Sequence, residues 1–280
     1  MEKYTLGLYE KAMPGTLSWQ EKLEAAKKAG FDYIEISIDE TDEKLARLDM
    51  PKAERMMLIN TCLVMGMPIR SMCLSGHRKF PIGSNDPAIE ARGMEIMEKA
   101  INLADDLGIR IIQLAGYDVY YEKGNEETKD RFVKNLAKAV NMASAKAIVL
   151  GFETMETEFM NTVSKAMSYV KDNASPYLEV YPDIGNITNA ACLYHTDAMK
   201  DLTKGQGHIV AVHLKETVPG KFREVPFGTG HVDFDKAIET AWKLGVRKYV
   251  TEFWYTGNPS WEEDLKEANS MMRKILNRQP

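Results

Sequence analysis

Four residues in the second half of the chain could together do chemistry that none of them does alone. They are Glu153 in "GFETME", Asp183 in "YPDIGN", His213 in "VAVHLKET" and Glu252 in "VTEFW". Two glutamates, an aspartate and a histidine make a sensible donor set for one divalent cation, with Mn²⁺, Zn²⁺, Mg²⁺ and Co²⁺ all acceptable. Three carboxylates packed together repel one another, and a dication offsets that cost. Taken singly, each residue has a plainer explanation: Glu153 pairs with Lys146 or Lys215 at a rim, and His213 is a packed core imidazole. The set has meaning only if the fold delivers all four to one place.

Short β-branched runs alternate with helical patterns along the whole chain. Eight strands are predicted: 4–10, 31–38, 68–75, 109–116, 147–154, 178–185, 209–216 and 248–254. Their spacing is that of βα units. Between the first two, "SWQEKLEAAKKAG" offers Ser18 as N-cap, Glu21 to complete a capping box and Gly30 just past the helix end. "EARGMEIMEKAINLADDLG" places Met94, Met97 and Ile101 on one helical face and stops at Gly108. The methionines read as core filling. Eight such repeats with near-continuous apolar strands predict a closed (β/α)₈ TIM barrel, one domain spanning 1–280. An open doubly wound sheet fits less well, because no G-x-G-x-x-G follows the first strand.

In such a barrel, function sits at the C-terminal strand ends. The four residues fall at the ends of strands five, six, seven and eight. Strands five and eight are three places apart in the ring, so Glu153 and Glu252 face each other across the mouth, with Asp183 and His213 between them. That arrangement suits removal of a proton from one face of a carbon and delivery to the other, next to a carbonyl polarised by the metal. The reaction class is epimerisation or isomerisation beside a ketone.

Composition narrows the partners. A net charge of −5 and a pI near 5.7 argue against a nucleic-acid footprint. Five histidines are too few for a multi-zinc nuclease centre. The three cysteines, Cys62, Cys73 and Cys192, have no C-x-x-C spacing and fit a reduced, cytoplasmic protein. The N-terminal "MEKYTLGLYEKAMPG" reads as neither signal peptide nor membrane helix.

Seven stretches carry a family resemblance: "LGLYEKAMP", "FDYIEISIDETDEKLARLD", "SMCLSGHRKFPIGS", "IRIIQLAGYDVYY", "YPDIGN", "GHIVAVHLKET" and "VPFGTGHVDF". In these the chain resembles the L-ribulose-5-phosphate 3-epimerases (L-xylulose-5-phosphate 3-epimerases) of bacterial L-ascorbate utilisation, within the xylose-isomerase-like barrels. The resemblance implies metal binding by Glu153, Asp183, His213 and Glu252, with Glu153 and Glu252 as the acid/base pair. It implies inversion at C3 of a ketose phosphate through a cis-enediolate, and a homodimer. Another ketose epimerase or an inosose-dehydratase-like lyase would share the same barrel and ligands.

Further polar residues are candidates for the substrate. "LSGHRKFP" supplies Ser75, His77 and Arg78, and "PGKFREVPFGTG" supplies Lys221 and Arg223, either loop able to meet a phosphate. Lys215, two residues beyond His213, shares its face, and Glu35 on strand two faces inward by the same logic. Glu35 then partners Lys215, touches substrate, or belongs to a buried polar network. Asn186 joins the substrate contacts by resemblance. His195 and His208 are set aside, and His231 is a minor candidate.

Overall fold

The computed structural model describes residues 3–280. Eight parallel strands alternate with helices: β1 Thr5–Tyr9, β2 Tyr33–Ile38, β3 Ile69–Leu74, β4 Ile111–Ala115, β5 Val149–Glu153, β6 Leu178–Tyr181, β7 Val212–Leu214 and β8 Lys248–Thr251. The ladders run β6-β5-β4-β3-β2-β1-β8-β7. The remaining seam, β6 to β7, is closed by isolated bridges, Val180 with Ile209 and Asp183 with His213. His213 N donates to Pro182 O at 2.9 Å and Val210 N to Val180 O at 3.0 Å. The eight strands therefore form a nearly closed barrel. Strand seven is much shorter than the predicted 209–216, because only Val212–Leu214 pairs continuously with β8.

Among the described residues ten α-helices cover the outside: α1 Trp19–Lys28, α2 Asp42–Ala46, α3 Lys52–Met65, α4 Pro87–Leu107, α5 Glu126–Ser144, α6 Val163–Asn173, α7 Ile184–Tyr194, α8 Ala198–Leu202, α9 Phe234–Lys243 and α10 Trp261–Leu276. Ser18 and Glu21 form the predicted capping box on α1, and Gly30 follows at φ 90°. Among the described residues no helix is long and apolar enough to cross a membrane.

Strand alternation separates two environments. Residues of one parity (Leu6, Leu8, Ile34, Ile36, Ile38, Leu150, Phe152) pack outward against the helices in the main core. The other parity faces the barrel axis and carries little apolar bulk: Tyr9, Tyr33, Cys73, Tyr181 and Val250 form a separate small cluster there. Glu153 and His213 belong to this inward set, and Asp183 and Glu252 follow just above it.

Candidate metal centre and active site

Glu153 is the last residue of β5, His213 the middle of β7, and Glu252 follows β8 directly. Asp183 departs from the strand-end expectation. β6 stops at Tyr181, and Asp183 is the N-cap of α7, its Oδ1 accepting from Asn186 N at 2.7 Å. The proline–aspartate step turns strand into helix within two residues, so the carboxylate is fixed through the helix as well as the strand. Gly185 lies inside α7. A Cβ there would meet Thr217 Cγ2 at 2.6 Å and Lys215 O at 2.8 Å, so glycine lets the helix sit against the β7 loop.

Each of the four side chains offers one ligand atom, and these atoms lie within 4.8 Å of one another, all buried. His213 is oriented from below. Its Nε2 donates to Glu35 Oε1 at 2.6 Å, and Glu35 Oε2 accepts from Ser71 Oγ at 2.7 Å and Tyr181 OH at 2.9 Å. The opposite ring atom, Nδ1, faces Glu153 Oε1 at 3.3 Å and Glu252 Oε2 at 3.2 Å. A carboxylate behind the imidazole fixes both the tautomer and the ring plane, the usual support for a metal-binding histidine. Gln113, also inward-facing, donates from Nε2 to Glu153 Oε2.

Lys215 Nζ stands 2.7 Å from Asp183 Oδ2 and 3.6 Å from Glu252 Oε2. Both oxygens are buried and neither has a partner in hydrogen-bonding geometry, so the ammonium contacts them only as a charge. Buried carboxylate oxygens left in this condition, beside an imidazole nitrogen aimed at the same point, fit a divalent cation held by Glu153, Asp183, His213 and Glu252.

The carboxylates are pushed apart in acidity. Burial raises the Glu153 carboxyl, and the nearby Glu252 charge adds to it. Burial also drives Asp183 well above the usual range, against the pull of Lys215. For Glu252 burial works upward too, yet the Lys215 and His213 charges hold it well below its ordinary value.

Above the cluster opens a cavity of about 100 Å³, bordered by Ser75, Arg78, Asn186, Lys215, Arg223 and Trp254. Three other candidates lie elsewhere. Glu35 is fully buried under His213 and partners that imidazole and Tyr181, neither Lys215 nor anything in the cavity. His77 is buried with Nε2 against Gly93 O at 3.0 Å, and burial pushes its imidazole down to about 4. Lys221 is exposed and reaches back to Glu224 O at 3.3 Å. Residue type and loop membership could not foresee these, since the strand-three loop turns His77 inward while leaving Arg78 over the mouth. Lys146 pairs with Asp105 at 2.9 Å instead of Glu153. His208 is engaged by Glu179 at 2.8 Å, and His231 by Thr217 Oγ1 at 3.0 Å.

Several residues at the site had escaped the sequence reading. Besides Gln113, Glu156 accepts from Arg223 Nη2 at 2.8 Å and Tyr120 OH at 3.0 Å, anchoring the arginine beside the cavity. Glu216 is buried and accepts from the backbone N–H of Thr217, Gly228 and Val232, at 3.0 to 3.1 Å, pinning both ends of the loop that carries Arg223. Gln113 was legible in principle, two residues before the end of an apolar strand. Glu156 and Glu216 lie in loops, where no periodicity marks direction.

A family pattern described as the xylose isomerase-like TIM barrel matches residues 23–275. The chain belongs to that family. L-ribulose-5-phosphate 3-epimerase UlaE of Escherichia coli (strain SMS-3-5 / SECEC) is 48% identical over 250 residues, 89% of this chain and 87% of that protein. UlaE of Shigella sonnei (strain Ss046) matches with the same identity and coverage. Among solved structures, a D-allulose 3-epimerase from Methylomonas sp. superposes with a TM-score of 0.79 at 19% identity, covering 99% of both chains. An L-ribulose 3-epimerase does so with a TM-score of 0.77 at 19% identity, covering 98% of this chain and 95% of that one. These structural likenesses show the shared fold.

Proposed function

We propose that the protein is a metal-dependent L-ribulose-5-phosphate 3-epimerase, interconverting L-ribulose 5-phosphate and L-xylulose 5-phosphate by proton transfer at C3. The observation that carries this reading is the buried cluster of Glu153, Asp183, His213 and Glu252, whose ligand atoms lie within 4.8 Å of one another, with both glutamates against His213 Nδ1. The 48% identity to UlaE supports the choice of substrate.

A divalent cation held by Glu153, Asp183, His213 and Glu252, with Zn²⁺ or Mn²⁺ preferred over Mg²⁺ or Co²⁺, would polarise the ketose carbonyl and stabilise the cis-enediolate. For one epimer Glu252, kept ionised by Lys215, takes the C3 proton. Glu153 returns one to the opposite face. The reverse direction exchanges the two roles, and no electron is gained or lost. Asp183 holds metal and moves no proton. Glu35 keeps His213 in place and does not meet the sugar.

Ser75, Arg78, Asn186, Lys215 and Arg223 border the cavity and are the substrate contacts of this reading. Arg78 is the phosphate partner, since its Nε is buried without a hydrogen-bond partner and a guanidinium suits a phosphate. The same reading includes a homodimer in a reducing cytoplasm, in keeping with three free cysteines. A sedimenting mass of 31.7 kDa would exclude the dimer.

The test is incubation with L-xylulose 5-phosphate in D₂O, with and without chelator, following C3 by NMR. Deuterium at C3 together with a second ketose phosphate, both lost on chelation, is the expected result. Absence of exchange in protein supplied with Mn²⁺ or Zn²⁺ overturns the proposal.

A further inference from the structure

We propose that the protein carries an anion site at the opposite end of the barrel from the acidic cluster, where Arg70, Arg110 and Lys248 surround a cavity that takes a small phosphate-bearing molecule. The cavity measures about 260 Å³ and is closed above by Tyr33, Ser71 and Ala211. Tyr33 stands two residues before Glu35, and Ala211 two before His213, so these side chains and Glu35 separate the site from the acidic cluster above.

Two independent observations point to a ligand. The first is backbone geometry. Ile34 lies opposite Ile69, but Glu35 lies opposite Ser71, so Arg70 is the extra residue of a bulge between β2 and β3. A bulge re-aims a side chain, and here the re-aimed side chain borders the cavity. The second is charge accounting in a chain of net charge −5. Among the described residues, three carboxylates at this end of the barrel are already engaged. Asp32 accepts from Leu6 N at 2.6 Å and pairs with Arg273 at 2.7 Å. Glu179 pairs with His208 at 2.8 Å, and Asp105 with Lys146 at 2.9 Å. Arg110 reaches Asp105 only at 3.5 Å. Among the described residues Arg70 and Lys248 enter no ion pair. Arg247, next in chain, is instead turned away onto the Trp242 ring and its carbonyl.

Three cations bordering one hollow repel one another, and a dianion relieves that repulsion while accepting charge-assisted hydrogen bonds. Arginine beside lysine is the pairing suited to phosphate. The volume exceeds that of the bare ion and leaves room for an esterified group.

Calorimetric titration of the purified protein with inorganic phosphate, at constant ionic strength set with chloride, tests the proposal. Phosphate should also enter the upper cavity, so the same titration is run on Arg78→Ala. One binding event should survive Arg78→Ala and weaken by about tenfold in Lys248→Gln, the loss expected for one charge-assisted hydrogen bond. It should disappear in Arg70→Ser/Lys248→Gln. Lys248 is exposed at the barrel rim, so Lys248→Gln keeps the fold even where the bulge does not tolerate Arg70→Ser, and it should leave epimerase turnover unchanged. A parallel titration with phenyl phosphate separates sources: tighter binding than the free ion assigns an ester as occupant, and equal binding assigns phosphate itself. Binding lost entirely in Arg78→Ala, or unaltered in Lys248→Gln, overturns the proposal.

Discussion

Replacing Glu252 by glutamine separates the two-carboxylate mechanism from any scheme with one base. Glutamine keeps the shape of glutamate and can still present an oxygen to the metal, but it cannot take a proton. Lys215 lies 3.6 Å from Glu252 Oε2; at an effective dielectric near 20 that contact is worth about 5 kcal/mol. An interaction of that size opposes burial and, with His213, holds the Glu252 carboxyl well below its usual range. Removing the base should cost the upper end of what general acid–base catalysis contributes, about 10³- to 10⁴-fold in kcat, or roughly 4–5 kcal/mol of barrier. KM and metal content should change little. The sharper readout is isotope exchange in D₂O. With Glu153 intact, Glu252→Gln should still wash the C3 hydrogen out of one epimer while leaving the other unlabelled and forming no product. Exchange from both epimers, or turnover within about tenfold of the unaltered protein, would refute the division of labour between the two glutamates.

Other consequences follow from the same geometry. Asp183→Asn should retain the α7 cap, since an amide oxygen can still accept from Asn186 N. It should weaken metal affinity more than about 100-fold, measured by competition with a chelator; unchanged affinity would remove Asp183 from the ligand set. Glu216→Gln keeps one oxygen for Thr217 and Val232 but turns an NH₂ toward Gly228 N–H, costing about 1–3 kcal/mol locally. The expected signature is faster amide exchange at Gly228 and a raised KM with kcat nearly kept, and slow exchange at Gly228 would contradict it. Glu10 is buried and accepts from Lys22, Lys44 and Arg47 at 2.6 to 2.8 Å. Burial works to raise its carboxyl, but Arg47 and the two lysines hold it far below the ordinary value. Its folded-state pKa lies below the unfolded one, so its stabilisation is complete above the unfolded value of about 4.3 and is lost as pH falls toward the folded value. Thermal melts of the native protein should therefore show a declining midpoint below about pH 5. In Glu10→Gln, destabilised by about 3–5 kcal/mol, that part of the decline should be absent. Identical acid limbs in the two proteins would discount the network.

Much of this protein was legible without coordinates because its information is periodic. Apolar runs at βα spacing imply eight parallel strands, and a residue at a strand end in such a barrel has one direction to face. That is why Glu153, His213, Glu252 and Lys215 could be placed by counting alone, and why Ser18, Glu21 and Gly30 marked the ends of α1 correctly. The tertiary structure decided what counting does not reach. Asp183 proved to be a helix cap, because a proline followed by an aspartate ends a strand sooner than its hydrophobic pattern suggests. Glu35 became the support of His213 because the bulge at Arg70 and the shear of the barrel choose which inward residues meet across it. Arg78 entered the cavity while His77 turned into the core, and Glu156 and Glu216 acquired their roles, through loop paths set by long-range hydrogen bonds. Alternation along a strand is a local property and is written in the sequence. The pairing of side chains across the barrel depends on closure, and only the folded ring specifies it.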